Sequence, residues 1–393
     1  MSNKTEQSYL LPTYARYPVT FVKGKGCRLW DDAGKEYIDF ASGIGVNSVG
    51  HAHPEWVAAI AEQAGKLAHT SNLYHTEPGA ALAERLCKLS GMGGVFFGNS
   101  GAEANEGLIK LARKYSSDKY GAGRAAILTL TDSFHGRTIS TLAATGQDHF
   151  HKHFSPFTPG FRHVAAGDMA ALKAQGADVC ALLLEPIQGE GGVYPVDADY
   201  VKQAAQLCRE RDWLLLFDEV QTGIGRTGQW FGFQEYDIMP DALSFAKGIA
   251  GGLPLGGILV SEKLCGVLVA GDHGSTFGGN PLCCAAALAT LDILESALPQ
   301  VAEKGVYIHK RIAEMNLPQV VCTRGRGLMI GIQIVGDSPK ELNAKLLNAG
   351  LAGLTAGKDA LRFLPPLVID WADIDAGLDI FEKALRQVRG ESK

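Results

Sequence analysis

The sequence predicts an α/β protein: a mostly parallel sheet between helices, with a smaller α+β unit built from the chain ends. Three observations predict it. Apolar runs at 95–97, 125–130, 179–184, 213–217, 242–245 and 256–260 alternate with helix-patterned stretches at 102–115, 136–145 and 198–211. Strand–turn–helix alternation builds a parallel sheet covered by helices. The runs are unbroken rather than alternating, as in strands buried on both faces. The 48 glycines gather where the runs end, at 91–101, 189–192, 223–232, 248–257 and 271–279. Such clusters mark tight turns or places where backbone closely approaches a ligand or another chain.

The flanking elements follow from local pattern. Two β-rich runs meet at Asp32-Ala33-Gly34, a hairpin signal. Residues 55–67 and 79–89 read as helices. After Pro281 an apolar helix at 283–294 leaves the main unit. Strands near 327–335 and 361–364 and a last helix at 372–389 complete the chain. The expected division is an N-terminal segment at 1–45, a large unit at 46–282 and a small α+β unit at 283–393. The small sheet is open to strands from the N-terminal segment.

Composition narrows the function classes. The chain is 46% hydrophobic and 20% charged, with a net charge of −5 and no charged block. That leaves no electrostatic footprint for nucleic acid or an anionic membrane. No run of about 18 apolar residues suggests a membrane span. The eight cysteines form no Cys-x-x-Cys pair, which argues against zinc and suits a reducing compartment. The first residues carry no apolar leader pattern, so a cytoplasmic protein is expected.

Ligands of open α/β sheets sit at the carboxyl ends of the strands. Leu214 to Asp218 and Leu243 to Lys247 would therefore bring Asp218 and Lys247 into one crevice. A buried acid and a buried lysine form an ion pair, or they hold pyridoxal phosphate. In the second case the acid keeps the ring nitrogen protonated and the lysine binds the aldehyde.

Other motifs are weaker alone. Ser100 caps a helix with Glu103 three residues on, and the free N–H groups of Gly101 and Ala102 suit a phosphate; a capped helix without ligand reads the same. Phe134 is core or a stacking ring, and Arg137 a surface charge or a carboxylate clamp. Glu185 ends a strand and Glu190 lies in a glycine-rich turn, as a pocket rim or a solvated loop. Gly223-Ile224-Gly225-Arg226-Thr227-Gly228 matches a dinucleotide fingerprint, but no amphipathic helix pattern follows and Asp218-Glu219 would repel a pyrophosphate. His149-Phe150-His151-Lys152-His153 and His51-Ala52-His53 read as loop and turn rather than metal sites. Ser275 and Thr276 sit in a turn that binds phosphate or caps the next helix. Arg362, in a short apolar strand, needs a carboxylate partner from protein or substrate.

Taken together, Ser100 to Glu106, Asp218 to Gly223, Ala246-Lys247-Gly248 and Gly274 to Pro281 resemble the class III pyridoxal-phosphate-dependent aminotransferases. The resemblance implies fold type I and a homodimer with shared sites. It implies that Lys247 and Asp218 are catalytic. Ser100, Gly101, Ala102, Phe134, Glu219, Val220 and Gln221 would contact pyridoxal 5'-phosphate, with Thr276 of the partner subunit. Arg137 and Ser275 would hold a substrate carboxylate. Arg362 would serve glutamate, with Glu190 neutralising it otherwise. Asp39 to Val46 and Ser71 to Tyr74 are most similar to the branch that moves the δ-amino group of N2-acetyl-L-ornithine to 2-oxoglutarate. The products are N-acetyl-L-glutamate 5-semialdehyde and L-glutamate, a step of arginine biosynthesis. Ile44 stands where ornithine δ-aminotransferases have tyrosine, which argues against a site for a free α-amino group. Succinylornithine, succinyldiaminopimelate and 4-aminobutyrate remain alternative donors. Outside the class, a nicotinamide-dependent dehydrogenase would rest on 223–228, and a non-catalytic binding protein on the ion-pair reading.

Overall fold

A computed structural model describes residues 9–387. Residues 388 and 389 of the expected last helix, and 1–8 of the N-terminal segment, lie outside the described residues.

Seven strands form the central sheet: β4 (Gly94–Gly98), β5 (Ala126–Leu130), β6 (Phe161–Val164), β7 (Val179–Leu184), β10 (Leu214–Asp218), β11 (Ala242–Phe245) and β12 (Gly256–Val260), in the order β4-β12-β11-β10-β7-β5-β6. β12 runs antiparallel to both neighbours, and the other pairs are parallel. Every residue of β5, β7, β10, β11 and β12 is buried, which is why their sequences are continuous apolar runs. The edge strand β6, with Arg162 and His163 exposed, lacks that signal and escaped the sequence reading. A short hairpin of β8 (Ile187–Gln188) and β9 (Tyr194–Pro195) follows β7.

Helices cover the sheet: α1 (Pro54–Lys66), α2 (Glu77–Ser90), α3 (Gly101–Tyr120), α4 (Ile139–Ala144), α5 (Met169–Lys173) and α6 (Ala198–Arg211). α3 starts at Ser100, whose hydroxyl accepts the Glu103 N–H at 3.3 Å. The Glu103 carboxylate returns to the Asn99 N–H at 2.9 Å, one residue earlier than a capping box has it.

The helix expected at 283–294 is far longer, α7 (Pro281–Glu314). It runs through Pro299, and Val301, Ile308 and Ile312 beyond that proline are buried. This core packing outweighs the lost backbone bond. By length and composition α7 would span a membrane, but half of its most apolar stretch is buried in the protein, as in a core helix.

The chain ends are interleaved. β1 (Phe21–Lys25), β2 (Arg28–Asp31) and β3 (Glu36–Asp39) form a sheet closed by β15 (Leu351–Ala352) from the far end of the chain. β13 (Val320–Arg326), β14 (Met329–Ile334), β17 (Ala360–Phe363) and β16 (Leu354–Ala356) form a separate sheet, backed by α8 (Pro339–Ala349) and α9 (Trp371–Gln387). The N-terminal strands thus join the C-terminal part through β15 and stay out of the sheet of β13, β14, β17 and β16.

Asp197 caps α6 by accepting the Tyr200 N–H at 2.9 Å. Asp197→Ala should lower unfolding free energy by about 1 kcal/mol. Denaturant titration checks this, and specific activity should not change.

Candidate active site

The carboxyl ends of β4, β5, β7, β10 and β11 open into one cavity of about 440 Å³. Asp218 lies at its floor, 4% exposed. Four groups donate to its carboxylate: Asn105 Nδ2 at 2.7 Å, His135 Nδ1 at 2.8 Å, the Val220 N–H at 3.0 Å and Ser244 Oγ at 3.4 Å. Asn105 also donates to the His135 carbonyl at 2.8 Å, so α3 and the 133–137 loop are pinned together at the acid. Burying a carboxylate is costly unless its lone pairs are occupied, and these donors occupy them. Sequence reasoning gave Asn105 and His135 no role. Asn105 is the third residue after the Ser100-Gly101-Ala102 turn, on the helix face turned to the strand ends.

Lys247 follows β11, which pairs with β10 in parallel register, and lines the same cavity. Burial holds its ammonium below the usual lysine value of 10.5, against the pull of Glu190. Its φ is 44°, in the left-handed region. For a residue with a Cβ this costs roughly 1–2 kcal/mol, a strain typical of functional positions.

Two more acids share the space. Glu190 is bound by Arg362 Nη1 at 2.6 Å, and the same nitrogen donates to Gln221 Oε1 at 3.1 Å. Burial alone would raise the Glu190 carboxyl, but Arg362 overrides it and holds it below its usual value. Arg362 is 2% exposed and its Nε has no partner, leaving a buried donor for a further acceptor. Glu185, at the end of β7, is 6% exposed.

Ser100, Gly101 and Ala102 bring the positive end of the 20-residue α3 to the cavity wall. A Cβ on Gly101 would sit 2.6 Å from Val220 Cγ1, so only glycine lets the helix start so close to the Asp218 loop. Half-buried Phe134 lines the cavity, and exposed Arg137 stands at its rim. The Arg137 guanidinium lies 4.2 Å from the Phe150 ring centre and 5.6 Å from that of Phe134. The 149–153 segment is thus more than a loop in solvent. Phe150 packs under Arg137, and His151 Nε2 meets the carbonyls of Leu142 and Thr145 at 3.0 and 2.8 Å. Among the described residues no group of three His, Cys, Asp or Glu converges on a metal position.

Several expected contacts lie elsewhere. Glu219 turns away from the cavity into the core, accepting the Gly232 and Phe233 N–H groups at 2.9 and 2.7 Å and the Thr222 hydroxyl. Burial pushes its carboxyl up to about 7 despite those bonds. Ile44 is exposed, and Val46 reaches the cavity wall instead. The cause is local. Ser42, Gly43, Ile44 and Gly45 all have positive φ, from 48° to 75°, and form a left-handed turn under the Asp39 carboxylate, which accepts the Ala41 and Ser42 N–H groups. Thr276 is exposed and off this chain's cavity wall, while Ser275 Oγ accepts from Asn99 Nδ2 at 3.2 Å at its edge. No helix opens after Gly223. Arg226 is buried and donates to the Leu328 and Pro365 carbonyls at 3.0 and 2.6 Å, so the fingerprint-like loop is braced against the C-terminal part of the chain.

A fixed carboxylate, a stacking ring, an amine and a helix N-terminus around one cavity fit an aromatic aldehyde phosphate, pyridoxal phosphate. The comparisons agree. Residues 10–385 match the model of the aminotransferase class-III family. The acetylornithine aminotransferase of Haemophilus ducreyi is 49% identical over 98% of this chain and 98% of its own. That of Methanocaldococcus jannaschii is 44% identical over the same shares. The ornithine aminotransferase of Toxoplasma gondii superposes with a TM-score of 0.94 at 33% identity, covering 99% and 95% of the two chains. The N-acetylornithine aminotransferase of Stenotrophomonas maltophilia does so at 0.85 and 35%, covering 98% and 99%. The chain therefore belongs to the class-III aminotransferases and is a pyridoxal-phosphate-dependent enzyme.

Proposed function

We propose that this enzyme moves the δ-amino group of N2-acetyl-L-ornithine to 2-oxoglutarate, as a step of arginine biosynthesis. The observation that carries the reading is a cavity lined by one amine, Lys247, with two guanidinium groups at different places: Arg137 on its lining, and Arg362 behind the wall, bonded to Glu190 and Gln221, which line it. Relatives named acetylornithine aminotransferase, 44–49% identical over nearly the whole chain, support it. Ornithine aminotransferases share the fold closely, but at 30–33% identity in the Toxoplasma and Plasmodium falciparum structures.

When bound, pyridoxal phosphate supplies the sink for the electron pair released at the carbon that carries the transferred nitrogen. Asp218 would hold the proton of the ring nitrogen, fixed for that task by its four donors. Phe134 would stack on the ring, Ser100, Gly101 and Ala102 would hold the phosphate, and Val220 and Gln221 would line the remaining side. Thr276 of the partner subunit would complete the phosphate contacts. Lys247 would hold the aldehyde of the bound cofactor, and once displaced its neutral amine would take the proton from the substrate carbon that carries the transferred nitrogen and deliver it to the cofactor side. Arg137, flanked by Phe150 and helped by Ser275, takes the α-carboxylate of acetylornithine, five atoms from the reacting amine. Glutamate reacts at its α-amine and needs a second anchor, which Arg362 supplies once its bond to Glu190 opens. One rigid clamp does not serve both distances.

We place the reaction in the cytoplasm, consistent with eight unpaired cysteines, and divide the chain near residues 45 and 282. We also propose a homodimer. Leu73, Tyr74 and Phe277 are 85%, 69% and 61% exposed, and Asn72 joins their segments by donating to the Ser275 and Gly278 carbonyls at 2.9 Å. That apolar rim beside the site suits a second copy of this chain.

Four outcomes are expected. N-acetylornithine should convert the cofactor spectrum of the purified enzyme. Arg362→Ala should slow the glutamate half-reaction about a hundredfold, ~2.7 kcal/mol, and Arg137→Ala should slow the acetylornithine half-reaction at least as much. Single-turnover absorbance with each donor measures both, and equal losses everywhere would defeat the division of labour. Burial lowers the Lys247 value, and only its neutral form accepts a proton. The proton-abstraction rate should therefore rise with pH and level off below 10.5, as stopped-flow profiles would report. Phe277→Asp should yield monomers with little activity in sedimentation and assay; a fully active monomer would count against shared sites.

A further inference from the structure

One acid in the cavity has no part in the scheme above. Glu185 follows Leu184 directly and shares the cavity with Asp218 and Lys247. Its oxygens accept only two backbone bonds, both long: Phe134 N–H to Oε2 at 3.1 Å and Gly189 N–H to Oε1 at 3.3 Å. Among the described residues no side-chain donor bonds to it. Asp218 receives four donors, two of them at 2.8 Å or less.

Two carboxyls in one buried space do not both ionise readily, and the proton stays on the one held less well. The donor counts identify it as Glu185. The charged groups around it are Asp218 at the end of β10, Lys247 after β11, and Glu190 further along its own loop, whose charge is matched by Arg362. Lys247 favours an ionised Glu185. Burial, reinforced by Asp218, outweighs it and pushes the Glu185 carboxyl well above the usual range. His135 is turned to Asp218.

A neutral carboxyl carries an O–H as well as its acceptor sites. Both bonds that Glu185 makes use it as an acceptor, so the O–H has no protein acceptor among the described residues. We propose that Glu185 is a further working group of this site, a neutral carboxylic acid whose O–H is donated to an oxygen of the molecule held in the cavity. Phenolic, carbonyl and carboxylate oxygens all fit that donor. A neutral donor polarises such an oxygen without adding charge beside Lys247. The same carboxyl braces the backbone of Phe134 and the loop that carries Glu190. The inference rests on reading the cavity as the cofactor and substrate site.

Glu185→Gln keeps the shape and a donor without charge; Glu185→Leu removes both. The Gln variant should hold kcat/KM within about threefold of the parent and leave the bound-cofactor absorption unchanged. The Leu variant should fall by about thirtyfold and shift that absorption. Equal losses in Gln and Leu would overturn the proposal. Infrared spectra of the cofactor-free parent at pH 8 give a second arm that is read without turnover. Glu219, at about 7, is mostly ionised there. A carbonyl stretch from a protonated carboxyl is expected in the parent and should vanish in Glu185→Gln. A parent spectrum without that band overturns the proposal. Failure of the parent to bind pyridoxal phosphate would defeat the functional reading instead, and the infrared arm would still decide the protonation of Glu185.

Discussion

The Asp218 carboxylate is the point to which the rest of the site is tied. A charge sealed from water is stable only when its lone pairs are occupied. Here the occupants come from α3, the 133–137 loop, the turn after β10 and β11. Satisfying one acid therefore fixes the loop that carries Phe134 and Arg137, the helix that faces the phosphate position, and the strand that leads to Lys247. Low dielectric strengthens these bonds, and it makes the loss of any one costly.

Parallel strands explain why these parts meet. β4, β5, β7, β10 and β11 all present their carboxyl ends on one edge, so residues far apart in sequence arrive together. The chain ends are tied to this edge from outside the cavity wall. β15 joins the N-terminal sheet to the C-terminal part, Arg226 ties the 223–228 loop to Leu328 and Pro365, and Arg362 reaches down to Glu190. Arg362 lies on β17, so its bond to Glu190 ties the C-terminal sheet to the loop after β7.

Much of this was legible in the sequence because buried parallel strands are written as uninterrupted apolar runs that end in chemistry. Asp218, Lys247, Glu185 and the Ser100 cap all stand at such ends. What escaped lacked a local pattern. Asn105 and His135 matter through long-range bonds, and a polar residue on a helix or loop does not announce its partner. Ile44 was placed by likeness in sequence, whereas the left-handed turn of Ser42 to Gly45 turns Val46 inward. Glu219 sits beside Asp218 in the chain, and successive side chains at a strand end face opposite sides. α7 outruns the apolar stretch that ends at Leu294, because core packing carries the helix through Pro299 to Glu314.

The left-handed backbone at Lys247 sets stability and chemistry against each other at a single residue. Glycine at that position would relax the main chain and remove the amine in one change. Selection for a sturdier fold alone would therefore drift toward a silent protein, and the lysine persists only while the reaction is needed. Heat resistance gained at 247 is a warning sign in an engineered variant, whereas the same gain at the cap of α6 is not.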